Sequence, residues 1–560
     1  MVLLALGAAG YAAYVAQEKL LEDGPNDPKL DVTNKAFIQL LKHEQELSAL
    51  EYPISTITFF KGNYQQVAPI LEKRSNRILQ HNPWLTGCLA WKVNGDDANK
   101  DKGINPNVTE NPTDKPNDSW ESMQTQTAKP TRSMCIYYDE NRDTLPSCTS
   151  TGCFQVLEPF VVPIHRSTPY QDILKNVQCM KVVLPPNYEL IGKHDQPPFW
   201  KVTLIPDAET PGERFSLVVS MSHAVGDAHT FYKLYHMLNV THCPLDDTTT
   251  VPTDSLQVPI LPLDPDRCQD YPKALVQRVG SLREATYMQA AISKPPINLI
   301  EIRKETKVRK LFTINETFVR LLQTQQSNPD QLGTEDGPLF GQEVTQSGRI
   351  LIDPPLSDAP ATANETSKQV STNSAITSWF FCTNEASIGL MLVNMRNRMH
   401  KPGSESVLAV PLGDCHAGNY VHPIIYTPMD YETPHLIQES LHHLKRCHPE
   451  TPTELPRFRW DMTSSISVNW SSFYPPGTNV DEASGQDPRS LVEAELHLPL
   501  WGFPMDMFPN RVSLLHLFTA YPGRTTVNKR ARVGAFVMCS EAAWKNIRAS
   551  GIVDEVISDL

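Results

Sequence analysis

Between Phe215 and Leu238 the chain changes its hydrophobic period, and that change constrains the fold more than any other stretch. Phe215-Ser-Leu-Val-Val-Ser-Met221 is a short apolar run rich in Val and Leu, the pattern of a buried strand. Beyond it, apolar side chains fall at Phe231, Leu234, Tyr235 and Leu238, which is helical spacing. Between strand and helix lies His223-Ala-Val-Gly-Asp227. An imidazole at the end of a buried strand is held in place yet reachable, which suits a general base.

The spacing alone says little. With 17 His in the chain, about one His-x-x-x-Asp match is expected by chance. A second does occur, His242-Cys-Pro-Leu-Asp246, in Thr/Asp/Pro-rich sequence with no strand before it and no helix after. Context separates the two. On context alone, His223 stands between a catalytic role and that of a satisfied core histidine.

A strand, His-x-x-x-Asp and then a helix resembles the active-site segment of the chloramphenicol acetyltransferase-like superfamily, which includes BAHD acyltransferases and peptide-synthetase condensation domains. The family pattern has Gly after the Asp and often a second His before the first. Here Ala228 follows Asp227, Gly226 sits one residue early, and Ser222 precedes His223.

Other stretches resemble the family in the same order. Ile54–Phe60 reads as a strand, Tyr64–Gln80 as an amphipathic helix and Cys88–Val93 as a strand, with Asn82-Pro-Trp-Leu-Thr-Gly87 between the last two. In the second half the resemblance covers the Ser371/Thr372-capped helix, the strand Gly389–Asn394 leading into Met395-Arg-Asn-Arg398, the turn Gly418-Asn419, and Ser464–Trp470. The family's last motif, Asp-Phe-Gly-Trp-Gly, survives only as Pro499-Leu-Trp-Gly-Phe-Pro504, without the Asp. Trp501 and Gly502 are therefore weak candidates for cofactor binding and stronger ones for fold residues.

The resemblance implies an α/β (α+β) fold of two chloramphenicol acetyltransferase-like lobes, each a mixed sheet flanked by helices, with a tunnel between them. The expected division is 1–30 as an apolar segment and linker, 31–262 as the N-terminal lobe, 263–300 as a connector and 301–560 as the C-terminal lobe. Insertions are expected at 94–133, which has almost no large apolar residues, and at 327–368, which is loop-like with Pro, Gly, Ser and Asp. Thr33–Leu47 and Ala274–Ala291 read as further helices, and a hairpin is expected to feed the strand ending at His223.

The implied reaction moves an acyl group from a CoA thioester to a hydroxyl or amine of a small molecule, with His223 as base. Acyl-CoA would be a co-substrate, with no bound cofactor. Asp227 would turn from the substrate and pair with a basic residue, the candidates being Arg524, Lys529, Arg530 and Arg532. The alternatives are an inactive acyltransferase fold used for binding and a condensation-type enzyme fed by a carrier protein. His229, on the following helix, reads as half-exposed surface.

Composition narrows the partners. Lys+Arg 50 against Asp+Glu 63 gives a net charge of −13 without a long basic run, which argues against nucleic acid. The 11 Cys lack paired metal-site spacing and fit free thiols in a reducing compartment, so a cytoplasmic monomer without metal is expected. Met1–Ala16 is apolar but shorter than the roughly 20 residues of a spanning helix. It is a candidate membrane anchor or secretory segment, or a packed helix. No Gly-x-Ser-x-Gly elbow, Walker A or dinucleotide loop is present.

Overall fold

The computed structural model describes residues 35–45, 53–93, 132–141, 145–187, 191, 196–238, 240, 260–264, 267–280, 307–327, 370–399, 412–450, 462–473, 492–501, 512–521 and 532–559. The fold is mixed α/β, with sheets flanked by helices. Residues 1–16, the greater part of both expected insertions, and Arg524, Lys529, Arg530 and Gly502 lie outside the described residues.

The first half runs β1 (Ala36–Gln39), β2 (Ile54–Lys61), α1 (Tyr64–His81), β3 (Cys88–Val93), β4 (Arg132–Tyr138), β5 (Phe154–Val156), α2 (Tyr170–Cys179), β6 (Trp200–Pro206), β7 (Arg214–Met221), α3 (Ala228–Leu238) and α4 (Arg267–Val279). The second runs β8 (Lys307–Ile314), α5 (Glu316–Ser327), α6 (Thr372–Thr383), β9 (Ile388–Asn394), β10 (Val421–Tyr426), α7 (Pro428–Tyr431), α8 (Pro434–His443), β11 (Ser464–Asn469), β12 (Glu493–Pro499), β13 (Val512–Tyr521), β14 (Arg532–Ser540), α9 (Glu541–Ala549) and β15 (Val553–Asp559). Among the described residues the strands form three sheets, ordered β1-β4-β3, β12-β2-β7-β6-β5 and β10-β9-β11-β13-β14-β8-β15.

Strand alternation assigns the packing. On β7, Phe215, Leu217, Val219 and Met221 join Val67, Leu71 and Ile78 of α1 and Phe231, Leu234 and Leu238 of α3 in one core. Val218 points the other way. With Ile57 and Phe59 of β2 it meets Leu514, Phe518, Phe536 and Met538 of the seven-stranded sheet. The second face of that sheet packs on Trp379, Phe380 and Phe381 of α6 and on Trp544 and Ile547 of α9. β7 is thus buried on both faces, the second carrying Ser216 and Ser220 beside Val218.

Two expected helices differ. Thr33–Leu47 contains a strand, because Ala36–Gln39 pairs antiparallel with β4 over Ala36↔Tyr138 to Gln39↔Cys135, followed by a 3-10 turn at Lys42–Gln45. The helix expected from Ala274 begins earlier, at Arg267, and carries Pro272 inside it, which removes one intrahelical hydrogen bond. Ser133, expected in an insertion, lies in β4, paired with Lys92. The hairpin into the motif is present: β6 and β7 pair antiparallel, Trp200↔Met221 to Pro206↔Phe215.

One strand crosses the sequence order. Glu493–Pro499 leaves the second half of the chain and pairs antiparallel with β2, closing the edge of the five-stranded sheet. Its alternating Glu493, Glu495 and His497 hide it from a hydrophobicity reading. Glu495 meets Arg214 at 3.4 Å and Arg166 at 3.8 Å, and His497 Nδ1 lies 2.7 Å from Thr58 Oγ1 of β2.

Candidate active site

The chain leaves β7 at Ser222 under tight restraint. Ser222 N–H donates to the Phe199 carbonyl at 2.9 Å, and its hydroxyl to Asn187 Oδ1 at 2.7 Å. His223 follows in the turn before α3 and is partly exposed, while Ala224 and Val225 beside it are fully buried. Burial holds the His223 pKa below its ordinary value, opposed by its own main-chain carbonyl, Asp227, Glu44 and Asn419. The lowered pKa favours the uncharged ring, the state in which it accepts a proton.

Asp227 closes the turn and starts the helix. Its Oδ1 accepts the Thr230 N–H at 3.0 Å, as an N-cap side chain does, and lies 3.2 Å from the Thr230 hydroxyl. Gly226 has a local reason to be glycine. A Cβ there would stand 2.7 Å from Thr230 Cβ and Cγ2, so the backbone passes Thr230 too closely for a side chain.

The partner of Asp227 is Arg396, in the turn after β9, with Nη1 2.7 Å from Oδ2. This corrects the expectation of a partner at 524–532. Arg532 is engaged elsewhere, with Asp554, Glu555 and the Thr313 hydroxyl. Arg396 also donates to the carbonyls of His416 and Gly418, at 2.8 and 2.7 Å, to Asn394 Oδ1 at 3.1 Å and to Thr230 Oγ1 at 3.0 Å. Its guanidinium lies 4.9 Å from the Tyr420 ring centre. Burial pushes the Asp227 pKa up, but Arg396 and the Thr230 N–H outweigh it and hold the carboxyl below its ordinary range.

The turn Gly418-Asn419 completes the site. Gly418 has φ 128°, a conformation that favours glycine. Asn419 Nδ2 donates to the His223 carbonyl at 2.9 Å, and the Tyr420 N–H to Asp227 Oδ2 at 3.2 Å. Residues 223–230, 394–396 and 416–420 thus form one cluster. The sequence resemblance quoted all three stretches without linking Asp227 to Arg396.

His229 is a second correction. It is 8% exposed rather than half-exposed, because its Nε2 lies 3.0 Å from the Asp414 carbonyl and Asn394 Nδ2 3.3 Å from its Nδ1. Burial and Arg396 lower its pKa. Trp501 sits in a separate aromatic cluster, stacked on Trp470 and Phe536, with its indole N–H 2.8 Å from His516 Nδ1. It packs there between the two large sheets. Among the described residues no group of three or more His, Cys, Asp or Glu gathers to hold a metal, and no helix is long and apolar enough to cross a membrane.

No family model matches the chain, and no curated protein matches it. Among solved structures, F. sporotrichioides TRI101 complexed with coenzyme A and T-2 aligns with 93% of this chain and 100% of its own, at 12% identity and TM-score 0.46. Vinorine synthase aligns with 95% of this chain and 97% of its own, at 12% identity and TM-score 0.44. The condensation domain of the Monacolin K polyketide synthase MokA aligns over 92% and 95%, at 10% identity and TM-score 0.42. These are likenesses in chain path over nearly the whole length.

Proposed function

We propose that the chain is an acyltransferase that moves an acyl group from a CoA thioester to the hydroxyl or amine of a small molecule, with His223 as general base. The observation that carries this reading is the placement of His223: a partly exposed imidazole at the end of a buried strand, clamped through its main chain between buried neighbours. The imidazole takes the proton of the acceptor as its oxygen or nitrogen bonds to the thioester carbonyl carbon. The tetrahedral species collapses, the carbon–sulfur bond breaks, and the imidazolium returns the proton to the CoA sulfur. No covalent acyl-enzyme is required. Asp227 takes no part in the proton transfer, since both its oxygens are committed to Arg396, Thr230 and Tyr420. It fixes the turn that carries His223.

A passage between the two large sheets, reached from opposite sides by donor and acceptor, would keep water from the thioester. The test is release of free CoA thiol from acetyl-CoA with a panel of alcohols and amines. Wild type should release thiol with at least one acceptor, and His223→Ala should lose the activity with an unchanged circular dichroism spectrum. Equal rates in the two proteins would exclude His223 as base. Binding without turnover would mark the fold as a binding protein, and turnover only with a carrier-bound acyl group would mark a condensation-type enzyme.

A further inference from the structure

Glu44 is a fully buried carboxylate in the 3-10 turn that follows β1, far in sequence from the motif it touches. Its Oε2 accepts the Leu41 N–H at 2.7 Å. Its Oε1 accepts both the Asn419 N–H at 3.0 Å and Asn419 Nδ2–H at 3.1 Å. The same Nδ2 group holds the His223 carbonyl. With an acceptor on each side, the amide orientation of Asn419 is dictated, since its NH2 end is the only donor it has. On the far side, His43 Nε2 lies 2.8 Å from the Asn419 carbonyl, so the same short turn grips Asn419 by both ends.

We propose that Glu44 is a positioning residue for His223, its carboxylate holding Asn419 and Asn419 holding the main chain from which the imidazole projects. This rests on the acyl-transfer reading for its purpose, though not for its geometry. The carboxylate acts on the ring as well: together with Asp227 it favours protonation of His223, against the burial that disfavours it. The charge of Asp227 is largely offset by Arg396 at 2.7 Å. Three further titratable groups adjoin the same cluster: His43 on the Asn419 carbonyl, His229 acting on Asp227 and Arg396, and Tyr271, buried near Asp227 and Glu44. Glu44 therefore does two separable things: it sets where the imidazole sits and how readily it takes a proton.

The test follows the ring rather than turnover. In a histidine-ring NMR titration of the full chain, the His223 resonance is assigned by its loss in His223→Ala. Glu44→Gln keeps the shape and removes the charge, and should lower the His223 midpoint by about half a unit or more. Glu44→Asp keeps the charge and should restore most of that shift, a rescue that a merely structural role would not give. An unmoved midpoint in a folded Glu44→Gln protein overturns the proposal. Should that variant not fold, Asn419→Ala leaves Glu44 in place and frees the His223 carbonyl. Its ring should then react with diethyl pyrocarbonate several-fold faster than in wild type, and an unchanged rate overturns the positioning link. Absence of acyl transfer from any donor would sink the proposed reaction while leaving these ring measurements intact, and the converse holds for an unmoved ring.

Discussion

Arg396 Nη1 lies 2.7 Å from Asp227 Oδ2, across a sequence separation of 169 residues. At 3% and 5% exposure both groups are buried, so this is not a surface pair of negligible worth. Removing one partner leaves an uncompensated buried charge. Arg396→Ala and Asp227→Ala should each lower unfolding free energy by about 3–5 kcal/mol. The double variant should lose clearly less than the sum of the two. Arg396→Lys should also fail, because one ammonium cannot span Asp227, Thr230, Asn394 and the two carbonyls that the guanidinium reaches. Urea denaturation of the four proteins measures this, and strictly additive losses would mean the pair is not coupled.

Gly226→Ala tests the close pass between the motif turn and α3. The new Cβ would meet the Cβ of Thr230, which is backbone-anchored and cannot swing aside. Thr230 in turn contacts Asp227, Arg396 and Gly418. The substitution should cost about 1–3 kcal/mol of stability and, by shifting His223, reduce thiol release further than the stability loss explains. Wild-type melting temperature and rate in this variant would refute the contact.

Acid should weaken the fold well above the range where carboxylates titrate. His422, His497 and His516 are buried, and burial takes their pKa to about 4, 3 and 3. In the unfolded chain each returns to roughly 6.5. As pH falls, the unfolded chain therefore binds protons first. The stability these neutral rings permit is complete above roughly 6.5 and is lost as pH falls toward their folded values. At pH 5 each ring costs about 2 kcal/mol. Asp227, also depressed, acts with the same sign but only below about 4, its unfolded value. Urea midpoints should drop between pH 7 and pH 5, and equal midpoints would contradict the burial of these rings.

What could be read in the sequence was local. The β7-to-α3 change of period, the α1 helix, and the Ser371 cap, whose hydroxyl accepts the Ser374 N–H at 3.1 Å, each depend on residues a few positions apart. What escaped was decided by distant partners. β12 looks charged until Arg166, Arg214 and Thr58 are placed against it. His229 looks like surface until Asp414 and Asn394 cover it. The Arg396 motif was visible, but four basic residues near 530 were equally available to Asp227 on charge alone, and only the fold selects among them. Glu44 carried no signal, since its segment read as a helix, whereas it lies in the 3-10 turn after β1, buried against Asn419.

The same physics that weakens the fold in acid should extend activity into it. With His223 as base, the rate follows the fraction of neutral imidazole, and kcat/KM falls on the acid side at the pKa of the free enzyme. Burial of His223 sets that pKa below the ordinary 6.5. The acid limb of thiol release should therefore have its midpoint below that of a solvent-exposed histidine, with a slope of one proton. Glu44→Gln should move it lower still, in step with the ring midpoint. Profiles must be taken above the pH at which the fold begins to fail, with circular dichroism recorded at each point, so that a loss of base and a loss of structure are separated. An acid limb at or above 6.5, or one that Glu44→Gln leaves in place while the ring midpoint moves, would assign the titrating base to another residue.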